Sequence, residues 1–257
     1  MSRIRQLVKR GIETATAWDI ERIGGRSFAL IDSKRADDGW FSRRRQLRSI
    51  LEHLRIDLVL DVGANVGQFG RDLREIYAGE LHSFEPVAAT HEQLAAAAAG
   101  DPRWTVHRFA LGSANTTLNI RVTGSTTFSS MLPASEFATR RFGDGATMAR
   151  EEPVAVRRLD DVLEELVPNA VTRRIFLKMD TQGFDLEVFR GIVTNRRCVL
   201  ALQSEVSLIP VYDGMPHWTE SLRVYEEAGF FVAAMMPVAT DGLRVVEYDC
   251  LLVRADG

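Results

Sequence analysis

Cysteine is nearly missing: Cys198 and Cys250 are the only two among 257 residues. Both sit in apolar, strand-like stretches, which excludes a disulfide framework or a cysteine-rich metal site and predicts buried thiols. Long hydrophobic runs are missing too. The longest, such as 94–99 and 199–202, are far too short to span a bilayer. Residues 1–25 contain no apolar core of the secretory type, so the expected address is cytoplasmic. No one sign of charge dominates. A net charge of −3 argues against a chain built to coat nucleic acid. What remains, 46% hydrophobic and 26% charged, excludes disordered and fibrous chains and suits one α/β domain of ordinary size.

The charge is unevenly placed. Residues 1–50 carry a net +6 and the remainder a net −9. Residues 3–18 read as a basic amphipathic helix, with Ile4, Leu7, Val8, Ile12 and Ala15 at helical spacing. Residues 21–42, with Gly24, Gly25 and Gly39, read as a linker with turns. An N-terminal helix and linker over 1–42 therefore precede a domain over 43–257. The basic head suits an anionic partner, including peripheral contact with the inner membrane face. A solvated or packed arm is the alternative.

From Leu47 onward the pattern alternates. The stripe Leu47, Ile50, Leu51, Leu54 predicts a helix that feeds an apolar strand at 58–61. A helix at 66–77, a strand at 80–84, a helix at 88–99 and a strand at 104–109 follow, closing in a turn at Gly112. Residues 113–158 break the rhythm with two β-like runs, 117–122 and 153–158, around an irregular middle rich in Ser, Thr and Gly. Alternation then resumes with helix 160–166, strand 174–179, helix 184–194, strand 198–204, helix 217–228 and strands 230–236 and 245–253. The fold class expected is α/β, a Rossmann-like, mostly parallel seven-stranded sheet with an antiparallel hairpin at one edge.

The strongest local signal is Asp61-Val-Gly63-Ala-Asn65-Val-Gly67-Gln-Phe69, where a buried strand hands over to a helix. Gly63 permits a tight turn and close backbone approach, Asn65 tolerates a left-handed backbone, and Gly67 allows close packing. Glu85, in Phe84-Glu85-Pro86 at the tip of the second strand, can accept both ribose hydroxyls of a nucleoside. The spacing departs from the G-x-G-x-x-G of dinucleotide sites. A carboxylate at Asp61 suits an ammonium or sulfonium better than a pyrophosphate. S-adenosylmethionine matches that chemistry better than NAD.

Taken in order, these motifs with Ala110-Leu111-Gly112, Arg158-Leu-Asp-Asp161, Leu177-Lys-Met-Asp-Thr-Gln-Gly-Phe184, Ser204-Glu-Val and Tyr212-Asp-Gly resemble the FkbM-type methyltransferases. The resemblance runs from about residue 57 to 253. It implies a class I Rossmann-like fold and S-adenosylmethionine-dependent O-methylation of a hydroxyl, most often on a sugar, glycolipid or polyketide. One departure stands out: Asp185 occupies a position where many relatives carry Glu.

On this reading Gly63, Asn65 and Gly67 line the methionine and ribose end of the donor. Asp61 contacts its amino group directly or through water, Glu85 holds the ribose, and Ala110 and Leu111 flank the adenine. Asp180 is the first candidate for base or acceptor-orienting group and Glu205 the second, with Lys178 neutralising a carboxylate or sealing the strand end. Asp180 could equally cap the following helix. The two carboxylates could instead hold Mg²⁺ with water, although no dense aspartate cluster supports it. His82, His107 and His217 are the other basic candidates, His82 reading as structural. Tyr212, His217 and Trp218 are candidates to stack on a sugar ring, and 123–150, with Ser129-Ser130 and Phe128, Met131, Phe137 and Phe142, for a lid. The acceptor expected is a small-molecule or lipid-linked glycosyl group. A soluble polyketide or macrolide hydroxyl, a non-catalytic nucleoside-binding module and an NAD-dependent dehydrogenase are the competing readings.

Overall fold

The computed structural model describes residues 18–22, 28–32 and 40–255. The helix expected over 3–18 lies almost wholly outside the described residues. The chain divides at Ser49/Ile50 into two compact units. In the first, β1 (Trp18–Arg22) pairs antiparallel with β2 (Phe28–Asp32). Within the linker expected over 21–42, the described residues are strand at 21–22 and 28–32 and helix from Trp40. Trp18-Asp19-Ile20-Glu21 alternates apolar and polar residues, the period of a strand. Helix α1 (Trp40–His53) runs across the division.

The second unit holds a seven-stranded sheet. Its strands are β3 (Leu58–Val62), β4 (Glu80–Phe84), β5 (Trp104–His107), β9 (Ile175–Met179), β10 (Val199–Ser207), β11 (Phe230–Asp241) and β12 (Arg244–Arg254). The order is β11-β12-β10-β9-β3-β4-β5. Five strands from β10 to β5 run parallel, and β12 runs antiparallel between β10 and β11. The terminal hairpin is thus folded into the sheet by its second strand, leaving β11 at the edge. β3 and β9 are central and buried at every position, which is why they read as continuous apolar runs. Each carries one charge, Asp61 and Lys178, and the register sets those two side by side.

Helices α2 (Gln68–Arg74), α3 (Ala88–Ala98), α5 (Leu159–Leu166), α6 (Asp185–Arg190) and α7 (Trp218–Glu227) supply the connections. Helix α6 stops four residues short of the expected end. Asp160 accepts hydrogen bonds from the amides of Val193 (2.8 Å), Thr194 (3.0 Å) and Asn195 (3.1 Å), which draws the backbone out of the helix. The turn expected at Gly112 is instead β6 (Ala110–Gly112). It joins β7 (Thr116–Thr123) and β8 (Met148–Arg158) in a three-stranded sheet of order β6-β8-β7. The segment between β7 and β8 is a packed cover, not an irregular loop. It contains α4 (Glu136–Phe142), and Phe128, Phe137 and Phe142 pack with Tyr212, Val211 and Val246 in a satellite core. Among the described residues no helix is long and apolar enough to cross a membrane.

Candidate active site

The order of the sheet reverses at β3, where the chain places β4 on one side and β9 on the other. A crevice opens beyond the carboxyl ends of strands at such a point. Here it is a cavity of about 400 Å³.

One end is the turn after β3. The amides of Gly63 and Ala64 both donate to the carbonyl of Phe84, at 3.0 and 3.1 Å, which ties the turn to the tip of β4. Gly63 sits at φ 76°, and a Cβ there would fall 2.0 Å from the carbonyl oxygen of Asp180. Only glycine lets the two strand tips approach this closely. Asn65 is left-handed at φ 49°, and its amide donates to Glu85 Oε2 at 3.0 Å. Glu85 Oε1 accepts from the amide of Val87 at 3.0 Å. Each carboxylate oxygen thus holds one amide and keeps lone pairs spare on the cavity wall. Burial lifts the Glu85 carboxyl to about 7, with the two amides working against the rise. Phe84, Val87, Ala110 and Leu111 form an apolar wall beside it.

Two residues expected at this wall lie elsewhere. Asp61 is fully buried and does not line the cavity. Its Oδ1 faces Lys178 Nζ at 3.0 Å, and its Oδ2 accepts from Ser83 Oγ at 3.2 Å. Asp61 thus sits beneath Lys178, off the cavity lining. Gly67 does not line the cavity either; a Cβ there would meet Leu94, Ala97 and Trp104. It serves packing of the turn.

The other end belongs to β9, β10 and β12. Lys178 is the only cationic side chain among the described residues lining the cavity. It also lies 3.5 Å from Asp180 and donates to the Gly63 carbonyl at 3.3 Å. Burial opposes its charge, but Asp61 and Asp180 more than offset that, so the ammonium is held above its ordinary range. It is a fixed cation, unsuited to act as a base. Asp180, Glu205 and Asp249 line the cavity nearby. Burial first, then the charges of Asp180, Glu247, Asp249 and Asp185, hold the Glu205 carboxyl well above the usual carboxylate range. Among the described residues no group of three or more His, Cys, Asp or Glu side chains is placed to hold a metal ion.

The aromatic and histidine candidates lie away from the cavity lining. His217 lies outside the cavity lining and caps α7, accepting from the Thr219 amide at 3.4 Å. Trp218 packs on the main core. Tyr212 is buried, and its hydroxyl donates to Gln182 Oε1 at 2.7 Å, so it cannot stack on a ligand. His82 and His107 hydrogen-bond to each other at 3.1 Å away from the cavity, and burial beside His82 lowers His107 to about 4. Ser129 lines the cavity, while Ser130 is buried below it. Gln182 carries the contact that residue-type reasoning passed over. Its amide nitrogen lies 2.7 Å from Asp180 Oδ1 and 3.3 Å from Glu205 Oε2. Its left-handed backbone, rare for a residue that is not glycine, leaves no trace in residue type.

The profile of the methyltransferase FkbM domain matches residues 61–232, about two thirds of the chain. The chain belongs to the FkbM methyltransferase family. No match is found among curated proteins. Among solved structures, this methyltransferase is similar to Aeropyrum pernix fibrillarin in complex with natively bound S-adenosyl-L-methionine, at 11% identity, 92% of this chain, 82% of that chain and a TM-score of 0.46. It is also similar to magnesium protoporphyrin IX methyltransferase from Synechocystis PCC 6803 with bound S-adenosylhomocysteine, at 10% identity, 85% of this chain, 86% of that chain and a TM-score of 0.42.

The residues present in the methyltransferase fit S-adenosylmethionine. Glu85 offers carboxylate lone pairs to a ribose diol, and the apolar wall suits an adenine ring. Asn65 lines the cavity and its Oδ1 is a buried oxygen without a hydrogen-bond partner, an acceptor suited to an ammonium group.

Proposed function

We propose that this methyltransferase uses S-adenosylmethionine to methylate a hydroxyl of a sugar-bearing acceptor. The observation that carries the reading is the juxtaposition, in one cavity, of the Glu85 end with the Asp180–Gln182–Glu205 end. S-adenosylmethionine, when bound, supplies an electrophilic methyl group. A sugar hydroxyl is a weak nucleophile and gains from a proton acceptor at hand. Glu205 takes that role: burial and the surrounding carboxylates make its carboxyl bind a proton more tightly than an ordinary carboxylate, so in its ionised form it is a stronger base than one. Asp180 orients the hydroxyl, and Lys178 holds Asp180 and the Gly63 carbonyl in place. The cover contributes Thr126, Thr127 and Ser129 to the same cavity.

The acceptor class follows from the polarity of that end. Carboxylates, Gln203 and the three hydroxyls can each bond a hydroxyl of a polyol. An apolar polyketide would satisfy none of these groups. The test is calorimetric titration with S-adenosylmethionine and NAD⁺, followed by labelled methyl transfer to glycosides, glycolipids and a macrolide. Saturable donor binding lost in Glu85→Ala, with base-stable label on a glycosyl hydroxyl, is the expected result. Binding of NAD⁺ alone, or label confined to the macrolide, overturns it.

A further inference from the structure

We propose that Gln182 is the positioning residue of the two acceptor-side carboxylates: its side-chain amide spans Asp180 and Glu205 and is itself held by Tyr212, which packs against the cover. The inference rests on the reading of Glu205 as proton acceptor.

Three hydrogen bonds orient the amide. Its nitrogen donates to Asp180 Oδ1 at 2.7 Å and Glu205 Oε2 at 3.3 Å, so both of its protons are directed at carboxylates. Its oxygen accepts from the Tyr212 hydroxyl at 2.7 Å. A flipped amide would set its oxygen against two carboxylates and its protons against a donor, so one orientation is enforced. The backbone is fastened separately. The buried Ser130 hydroxyl donates to the Gln182 carbonyl at 2.6 Å, and the Ser130 oxygen accepts from the Leu132 amide at 3.0 Å. Tyr212 belongs to the satellite core that contains Phe128 and Phe142. The cover and the carboxylates are therefore joined through one residue.

The charge around Glu205 explains why a neutral donor belongs there. Asp180 and Lys178 face this region from the end of β9, Asp185 from the start of α6, and Glu247 and Asp249 from β12. Lys178 is engaged by Asp61 and Asp180. The Asp185 carboxylate accepts from the amides of Thr181 (2.9 Å) and Glu205 (3.1 Å), fixing the backbone on both sides of Gln182's partners. A glutamate at 182 would keep the shape and the Tyr212 bond but add a like charge.

The test follows the titration of the Glu205 carboxyl itself and needs no acceptor. Protein labelled with ¹³C at the glutamate side-chain carboxyl is titrated by NMR, with Glu205→Gln to assign the signal. Gln182→Gly keeps a left-handed backbone at no steric cost and removes the amide. Gln182→Glu keeps the shape and reverses the character. We expect the Glu205 midpoint to rise by about one pH unit in the Gly variant, a tenfold change in proton affinity, and further in the Glu variant. A midpoint unmoved in the Gly variant overturns the assignment, and so does a Glu variant that titrates like the unmodified protein. Titration with S-adenosylmethionine runs alongside. Failure of the unmodified protein to bind it would overturn the donor reading, while the Glu205 midpoints still decide the role of Gln182.

Discussion

The two ends of the cavity differ in how their charge is held. Glu85 receives two backbone amides, from Asn65 in the glycine turn and from Val87 just beyond the tip of β4. Glu205 receives one side-chain amide, from Gln182, and is otherwise ringed by carboxylates from β9, α6 and β12. A backbone amide cannot be replaced by mutation, whereas a side-chain amide can. The donor end is therefore fixed by shape, and the acceptor end is adjustable by charge.

Breaking the point where the ends meet should have the largest effect. Gly63→Ala places a Cβ on the Asp180 carbonyl at a backbone angle alanine disfavours. Strain and overlap together should cost about 4 kcal/mol and abolish donor binding, read by urea unfolding and calorimetry. Next comes Glu205→Gln, which removes the proposed proton acceptor. Turnover should fall about 10²–10⁴-fold while donor affinity changes little; a variant that keeps its turnover removes Glu205 from the chemistry.

A smaller effect sharpens the donor end. On the proposed reading ribose hydroxyls donate to ionised Glu85, so donor affinity should rise severalfold between pH 6 and 8 as the carboxyl ionises through about 7. The same group acts oppositely on the donor-free protein. Its folded value lies above the ordinary carboxylate value, so its stabilising contribution is complete below that ordinary value and is lost as pH rises through about 7. The full difference is about 3 kcal/mol. Glu85→Gln should flatten both trends, seen in donor titrations and in melting temperature against pH. The smallest effect is expected outside the cavity. His217→Ala removes the exposed side-chain cap of α7, with its bonds to the Thr219 amide and hydroxyl, should cost about 1 kcal/mol and should leave methyl transfer unchanged. A large fall in transfer would return His217 to the site.

Much of the sheet was legible because buried parallel strands such as β3 and β9 are apolar without interruption, and because glycine punctuates the turn at Gly63. Glu85 was legible because its place at the tip of the second strand follows from counting elements. Other features were not. The early end of α6 depends on Asp160, which reaches Val193 only when the chain has folded back. Tyr212 looks like a loop aromatic until the cover buries it, and Gln182 looks like part of a turn until Glu205 arrives beside it.

The sequence by itself determined the alternation of strands and helices, the glycine turn and the identity of the carboxylates. These are local properties, set by side-chain period and by what a backbone without a Cβ can do. The tertiary structure alone decided what those carboxylates face. Asp61 meets Lys178 through the register of β3 and β9, strands more than a hundred residues apart. Glu205 binds its proton tightly because folding removes its water and crowds it with like charge, a property of its surroundings and of no residue alone.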